Sequence, residues 1–114
     1  MSSLTDLPVT LEPLEEARLI RVSGEIDYGN ADHLRRHLDD ARLEGDTTLL
    51  DLAKVEFMDS AGLDVLLDAS RAVDSELWPF FIVRPSAAVR RLVDATGTAD
   101  RLALVEVHEE RLLS

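Results

Sequence analysis

Apolar and polar positions change rhythm several times along the chain, and each change predicts an element. Two short extended runs come first. Val9-Thr10-Leu11 lies between Pro8 and Pro13, and Ala17-Arg18-Leu19-Ile20-Arg21-Val22 follows, with Pro13, Glu15 and Glu16 as the connecting turn. From Asn30, a suitable N-cap residue, Leu34, Leu38 and Ala41 recur at helical spacing until Gly45. Gly45-Asp46 then leads into a third strand, Thr47-Thr48-Leu49-Leu50-Asp51-Leu52. A second helix begins at Ser60 and sets Leu63, Leu66, Leu67 and Ser70 on one face. Phe80-Phe81-Ile82-Val83 is a continuous apolar run, the pattern of a strand buried on both faces of a parallel sheet. Pro85 opens a third helix with Ser86 as its cap, Val89, Leu92 and Val93 inward, and Gly97 as its C-terminal stop. A last strand over residues 103–107 and a brief helix over residues 109–113 complete the pattern.

The order β-β-α-β-α-β-α-β predicts an α/β fold: a mixed sheet of about five strands with three to four helices packed on it. Right-handed crossovers would set the strand-to-helix loops along one edge, where ligands of such sheets usually bind. A chain of 114 residues fits a single domain spanning 1–114, with its core at about 8–113.

Composition narrows the function. Hydrophobic residues make up 46% of the chain, too many for a disordered acidic segment, and with aromatics at 4% the core must be aliphatic. Acidic side chains number 23 against 12 basic ones, a net charge of -11, which disfavours nucleic acid and anionic membranes as partners. The absence of cysteine excludes disulfides, thiolate chemistry and sulfur-ligated metal. No basic segment followed by an apolar run opens the chain, and no run is long enough to span a membrane, so a cytoplasmic protein is expected.

The informative segment is Asp51-Leu52-Ala53-Lys54-Val55-Glu56-Phe57-Met58-Asp59-Ser60-Ala61-Gly62-Leu63, which runs from a strand through a short loop into a helix. Taken alone, Ser60 has an ordinary reading as a helix cap, since serine is a preferred N-cap. Ala61 and Gly62 likewise suit either close packing of the first helical turn or open access to the serine. Asp27 either braces the loop into the first helix or stands beside Ser60.

The segment nevertheless resembles the signature of STAS domains, specifically the bacterial anti-sigma factor antagonists, in which an aspartate-serine pair starts a helix and a small residue, glycine and leucine follow. Val22-Ser23-Gly24-Glu25-Ile26-Asp27 resembles the family's Gly-Glu-apolar-Asp strand end, and Pro85-Ser86-Ala87-Ala88-Val89-Arg90-Arg91-Leu92 with Thr96-Gly97 its third helix and exit. By that resemblance the protein is not an enzyme and needs no cofactor of its own. Ser60 would be phosphorylated by a partner, an anti-sigma factor serine kinase that binds the ATP. The unphosphorylated form would bind that partner and free a sigma factor; a serine phosphatase would reverse the modification. Asp27, Asn30, Asp59, Ala61, Gly62, Leu63 and Asp64 would form the partner-binding set, on a monomer or weak dimer. Within the same resemblance, the alternative is a docking subunit of a stressosome-like scaffold or of a lipid-transport ATPase.

Phosphorylation adds a charge of about -1.5 to -2, which a helix N-terminus tolerates but a packed partner interface does not. Little change of fold is therefore expected. Glu25, Asp27, Asp59 and Asp64 are expected to gather near the start of this helix as an acidic face for a basic partner.

Other signals are weaker. His33 and His37 share a helix face, but Arg35 and Arg36 between them argue against a metal. Trp78 reads as cover for the sheet edge in preference to a surface anchor, and Arg84, Arg90 and Arg91 as support for the third helix or partners of nearby acids. A serine hydrolase would need a Gly-x-Ser-x-Gly elbow, which is missing. A phosphoaspartate receiver would need a lysine near its last strand, and the only lysine is Lys54.

Overall fold

The computed structural model describes residues 8–14 and 17–106. One sheet holds five strands in sequential order: β1 (Val9–Leu14), β2 (Ala17–Ile26), β3 (Thr48–Met58), β4 (Phe80–Val83) and β5 (Leu104–Val105). Strand β1 runs antiparallel to β2, and all other neighbours are parallel. Helices α1 (Ala31–Glu44), α2 (Ser60–Ser75) and α3 (Ala87–Thr96) connect the parallel strands, and a 3-10 turn at Ala99–Arg101 precedes β5. This is the mixed sheet with three helices that the apolar pattern predicts.

Crossovers of one hand advancing across a sheet in one direction place their helices on one face. Here Ile20, Val22, Leu50, Leu52, Phe80 and Ile82 meet Leu34, Leu38, Leu63, Leu66, Val89 and Val93 in a single buried core. The opposite face carries a smaller cluster, Leu19 and Val83 packed by Leu49 and Phe81. Strand β4 contributes to both clusters, which is why it reads as an unbroken apolar run. Helix ends follow the sequence closely: Gly45 and Gly97 close α1 and α3 at φ 73° and 66°, a left-handed conformation that glycine adopts without steric cost. Trp78 is a core residue. It is 3% exposed, stacks on Phe80 with ring centroids 4.6 Å apart, and donates its indole N–H to the Asp46 carbonyl at 2.9 Å.

Four strands depart from expectation. Strand β1 continues past Leu11, with Pro13 in register opposite Arg18, so Pro13 lies in the strand and not in a turn. As an edge strand, β1 has a side without a ladder, where the missing proline N–H goes unused. Glu15 and Glu16 lie outside the described residues.

The largest departure is β3. The strand expected from the apolar run ends at Leu52, yet the observed strand runs on to Met58 through residues expected to form a loop. Its pairing with β2 shifts twice, between Arg21 and Ser23 and again between Gly24 and Glu25. Each shift fits one extra β3 residue, so the exposed pairs Ala53-Lys54 and Glu56-Phe57 alternate with buried Val55 and Met58. An out-out-in rhythm matches neither a strand nor a helix, and it hides the strand. Strand β2 likewise continues from Val22 to Ile26, with Gly24 at φ 87° beside the second shift. The last strand is observed at Leu104–Val105. Val107 and the brief helix expected at residues 109–113 lie outside the described residues. No helix among the described residues is long and apolar enough to cross a membrane.

Candidate functional site

The two bulges in β3 bring its end level with the end of β2, so that Ile26 pairs with Met58. The Asp59 N–H then donates to the Ile26 carbonyl at 3.1 Å, tying the two strand ends together just before α2. Asp59 itself takes the N-cap position of α2, with extended backbone at φ -104° and ψ -172°. Its Oδ1 accepts the N–H groups of Ala61 at 2.9 Å and Gly62 at 3.2 Å, satisfying two of the helix's unpaired donors. Its Oδ2 accepts the Tyr28 N–H at 3.1 Å and so holds the β2–α1 loop against the start of α2.

This corrects the ordinary reading of Ser60. The cap is Asp59, and Ser60 is the first helical residue, exposed, with no hydrogen bond to its hydroxyl among the described residues. An aspartate in the cap position relieves the serine of that duty.

Asn30 also differs from expectation. It occupies the N-cap position of α1 but makes no capping bond with its side chain. Instead its Oδ1 accepts the Asp27 N–H at 2.9 Å and its Nδ2 donates to the Glu25 carbonyl at 2.9 Å, bracing the loop from inside while 9% exposed. The Asp27 carboxylate accepts the Gly29 N–H at 2.9 Å, the loop-bracing role foreseen as one of its two alternatives. Because the adjacent Tyr28 contacts Asp59, that loop also lies beside the α2 start. The two loops converge.

Gly62 and Leu63 are buried and face inward. A Cβ at Gly62 would come within 2.7 Å of Met58 Cγ and 2.8 Å of Ile26 Cγ2, so glycine is what lets α2 seat on the strand ends. Ala61 and Asp59 are half-buried, and Glu25, Ser60 and Asp64 are exposed. Two aromatic residues escape the sequence reading. Tyr28 is 87% exposed in the β2–α1 loop, and Phe57 is 48% exposed at the end of β3, in register with Glu25. An aromatic residue inside the polar run Asp27-Tyr28-Gly29-Asn30 is the signal that marks the first; the hidden bulge conceals the second.

The other candidates have structural explanations. His33 and His37 meet edge-to-face at 4.9 Å, and no cluster of three or more metal-ligating side chains occurs among the described residues. Burial, and then the proximity of His33, hold the His37 imidazole below its ordinary pKa. Arg84 pairs with Asp51, its Nη2 lying 2.6 Å from Oδ2, while Arg90 and Arg91 are exposed on α3.

Such a geometry defines a small α/β module whose strand ends present one exposed serine, at a helix start, within an acidic and aromatic surround. The STAS domain family model matches residues 9–111. The chain belongs to the STAS domain family. It is 29% identical to an anti-sigma F factor antagonist of Paenibacillus polymyxa over 94 residues, covering 81% of this chain and 80% of that protein. Among solved structures it superposes on an anti-sigma factor antagonist from Mycobacterium paratuberculosis with a TM-score of 0.79 at 25% identity, covering 99% and 97% of the two chains. The phosphorylated form of the Bacillus cell fate determinant SpoIIAA shares the fold, with a TM-score of 0.68 at 23% identity over 92% and 96% of the chains.

Proposed function

We propose that this protein is an anti-sigma factor antagonist, a non-catalytic cytoplasmic module switched by phosphorylation at Ser60. Unphosphorylated, it binds an anti-sigma factor that is itself a serine kinase, and so releases a sigma factor. The kinase supplies ATP and transfers its phosphate to Ser60; a serine phosphatase resets the module. Ser60, Ala61, Asp64 and the Asp27 loop form the docking edge. The observation that carries this reading is the exposed Ser60 hydroxyl beside a separate cap. The names of the relatives, and the existence of SpoIIAA in a phosphorylated form, support it.

Local chemistry explains how the switch acts without refolding. The Ala61 and Gly62 N–H groups are already taken by Asp59, so a phosphate on Ser60 must share them with a carboxylate or leave them. The added charge of about -1.5 to -2 therefore stands next to Asp59 on the docking surface. A partner packed against a neutral hydroxyl would have to desolvate that dianion, at a cost of several kcal/mol that ends binding. Calorimetric titration into a cognate anti-sigma factor tests this. Wild type and Ser60→Ala should bind similarly, and Ser60→Asp should bind at least tenfold more weakly. Equal affinity of all three would overturn the switch.

A further inference from the structure

Aromatic side chains are scarce in this chain, and the fold uses most of them. Trp78 and Phe80 are buried, Phe81 is half-buried, and Phe57 lies within a strand at 48% exposure. Tyr28 is the exception, 87% exposed in the β2–α1 loop. Among the described residues its ring joins no aromatic pair, and its only hydrogen bond is made by its backbone.

The backbone beneath that ring is nevertheless fixed on both sides. The Tyr28 N–H donates to Asp59 Oδ2 at 3.1 Å, and the Gly29 N–H donates to Asp27 Oδ1 at 2.9 Å. The Asn30 and Ala31 N–H groups both donate to the Asp27 carbonyl, at 3.0 and 2.8 Å. Asn30 Nδ2 ties the loop to the Glu25 carbonyl at 2.9 Å. Glycine, asparagine, aspartate and serine suit such a turn; a tyrosine adds nothing to it. What tyrosine offers is a large amphipathic ring on two side-chain torsions, which loses little freedom when a partner immobilises it. A braced loop that holds this ring in solvent is preorganised for contact.

Charge selects the kind of surface that the ring meets. Segments 22–34 and 55–64 converge at the bond between Tyr28 and Asp59. They contain Glu25, Asp27, Asp32, Glu56, Asp59 and Asp64 but no lysine or arginine. None of these carboxylates joins an ion pair among the described residues. A second copy of the chain would set like charges against one another, which disfavours self-association here. A partner with basic side chains matches the surface, and arginine also stacks on a tyrosine face.

We propose that Tyr28 is a principal contact for the anti-sigma factor. Its ring fills an apolar pocket on that partner, and basic side chains around the pocket face the carboxylates. The proposal rests on the reading of the chain as an anti-sigma factor antagonist, and it adds an aromatic contact that carries affinity beside the serine that controls it.

The partner for the test is whichever candidate anti-sigma factor kinase phosphorylates wild type on Ser60; if none does, that reading fails and this proposal with it. Calorimetric titration then uses ADP in place of ATP, so that Ser60 stays unmodified. Tyr28→Phe should bind within about twofold of wild type, and Tyr28→Ala about tenfold or more weakly. Leu43→Ala, an apolar residue 76% exposed at the far end of α1, should bind as wild type does. Tyr28→Ala keeps the backbone N–H that meets Asp59, so its melting temperature and the amide exchange of its loop should match wild type. Wild-type affinity should fall as ionic strength rises. Equal affinity of Tyr28→Ala and wild type, an equal loss in Leu43→Ala, a loosened loop in Tyr28→Ala or salt-independent binding would overturn the proposal while leaving the switch at Ser60 in place.

Discussion

Helices α2 and α3 begin with the same kinds of residue in different places, and the difference decides what a serine can do. At α3, Ser86 is the N-cap, and its Oγ accepts the Val89 N–H at 3.3 Å. That hydroxyl belongs to the helix. At α2 the cap is Asp59, the serine stands one residue later, and its hydroxyl faces solvent. A one-position shift separates a structural serine from an available one. Asp59 also does more than Ser86, because its second oxygen anchors the neighbouring loop through Tyr28.

Substitutions can break this comparison, and the largest loss is expected at Gly62. Gly62→Val places atoms where Met58 and Ile26 already stand, so α2 must lift off the strand ends. Overpacking of this kind should lower stability by about 1–3 kcal/mol, measured by denaturant unfolding. Asp59→Ala comes next: it removes a cap and the Tyr28 anchor together, and about 1–2 kcal/mol should be lost. Amide exchange in the β2–α1 loop should rise in that variant, which a cap acting on α2 alone would not produce.

Ser86→Ala should lose about 1 kcal/mol, as a cap serine does. Ser60→Ala should stay within about 0.5 kcal/mol of wild type, as an exposed substitution does. If the two alanine variants were equally destabilised, the distinction between the serines would be lost.

The smallest effect concerns pH. Burial and His33 lower the His37 pKa in the fold, so the unfolded chain binds more protons as pH falls through about 6.5. His37 therefore contributes stability above that value and less below it. The drop in melting temperature between pH 7.5 and 5.5 should be smaller in His37→Gln than in wild type.

Much of this was legible in the sequence because it rests on local chemistry. Helical spacing located α1, α2 and α3, and Gly45, Ser86 and Gly97 marked their ends, since turn and cap residues act within a few positions. The motif around Asp59-Ser60 pointed to the site for the same reason. What escaped the sequence depends on pairing between strands. The two bulges of β3 exist only opposite β2, so Ala53 to Met58 read as a loop, and Phe57 and Lys54 had no assigned face. Asn30 suited a cap by type, but its bonds to Asp27 and Glu25 arise from a loop shape that spacing does not encode. Which residue of the Asp59-Ser60 pair caps α2 is likewise a matter of one backbone conformation.

Phosphosite mapping tests the central claim most directly. Wild type, Ser60→Ala and Ser86→Ala would each be incubated with candidate anti-sigma factor kinases and ATP, and the modified residue located by mass spectrometry. The account predicts phosphate on Ser60 alone, with Ser86→Ala labelled as fully as wild type and Ser60→Ala unlabelled. Labelling that persists in Ser60→Ala, or that falls on Ser86, would contradict it.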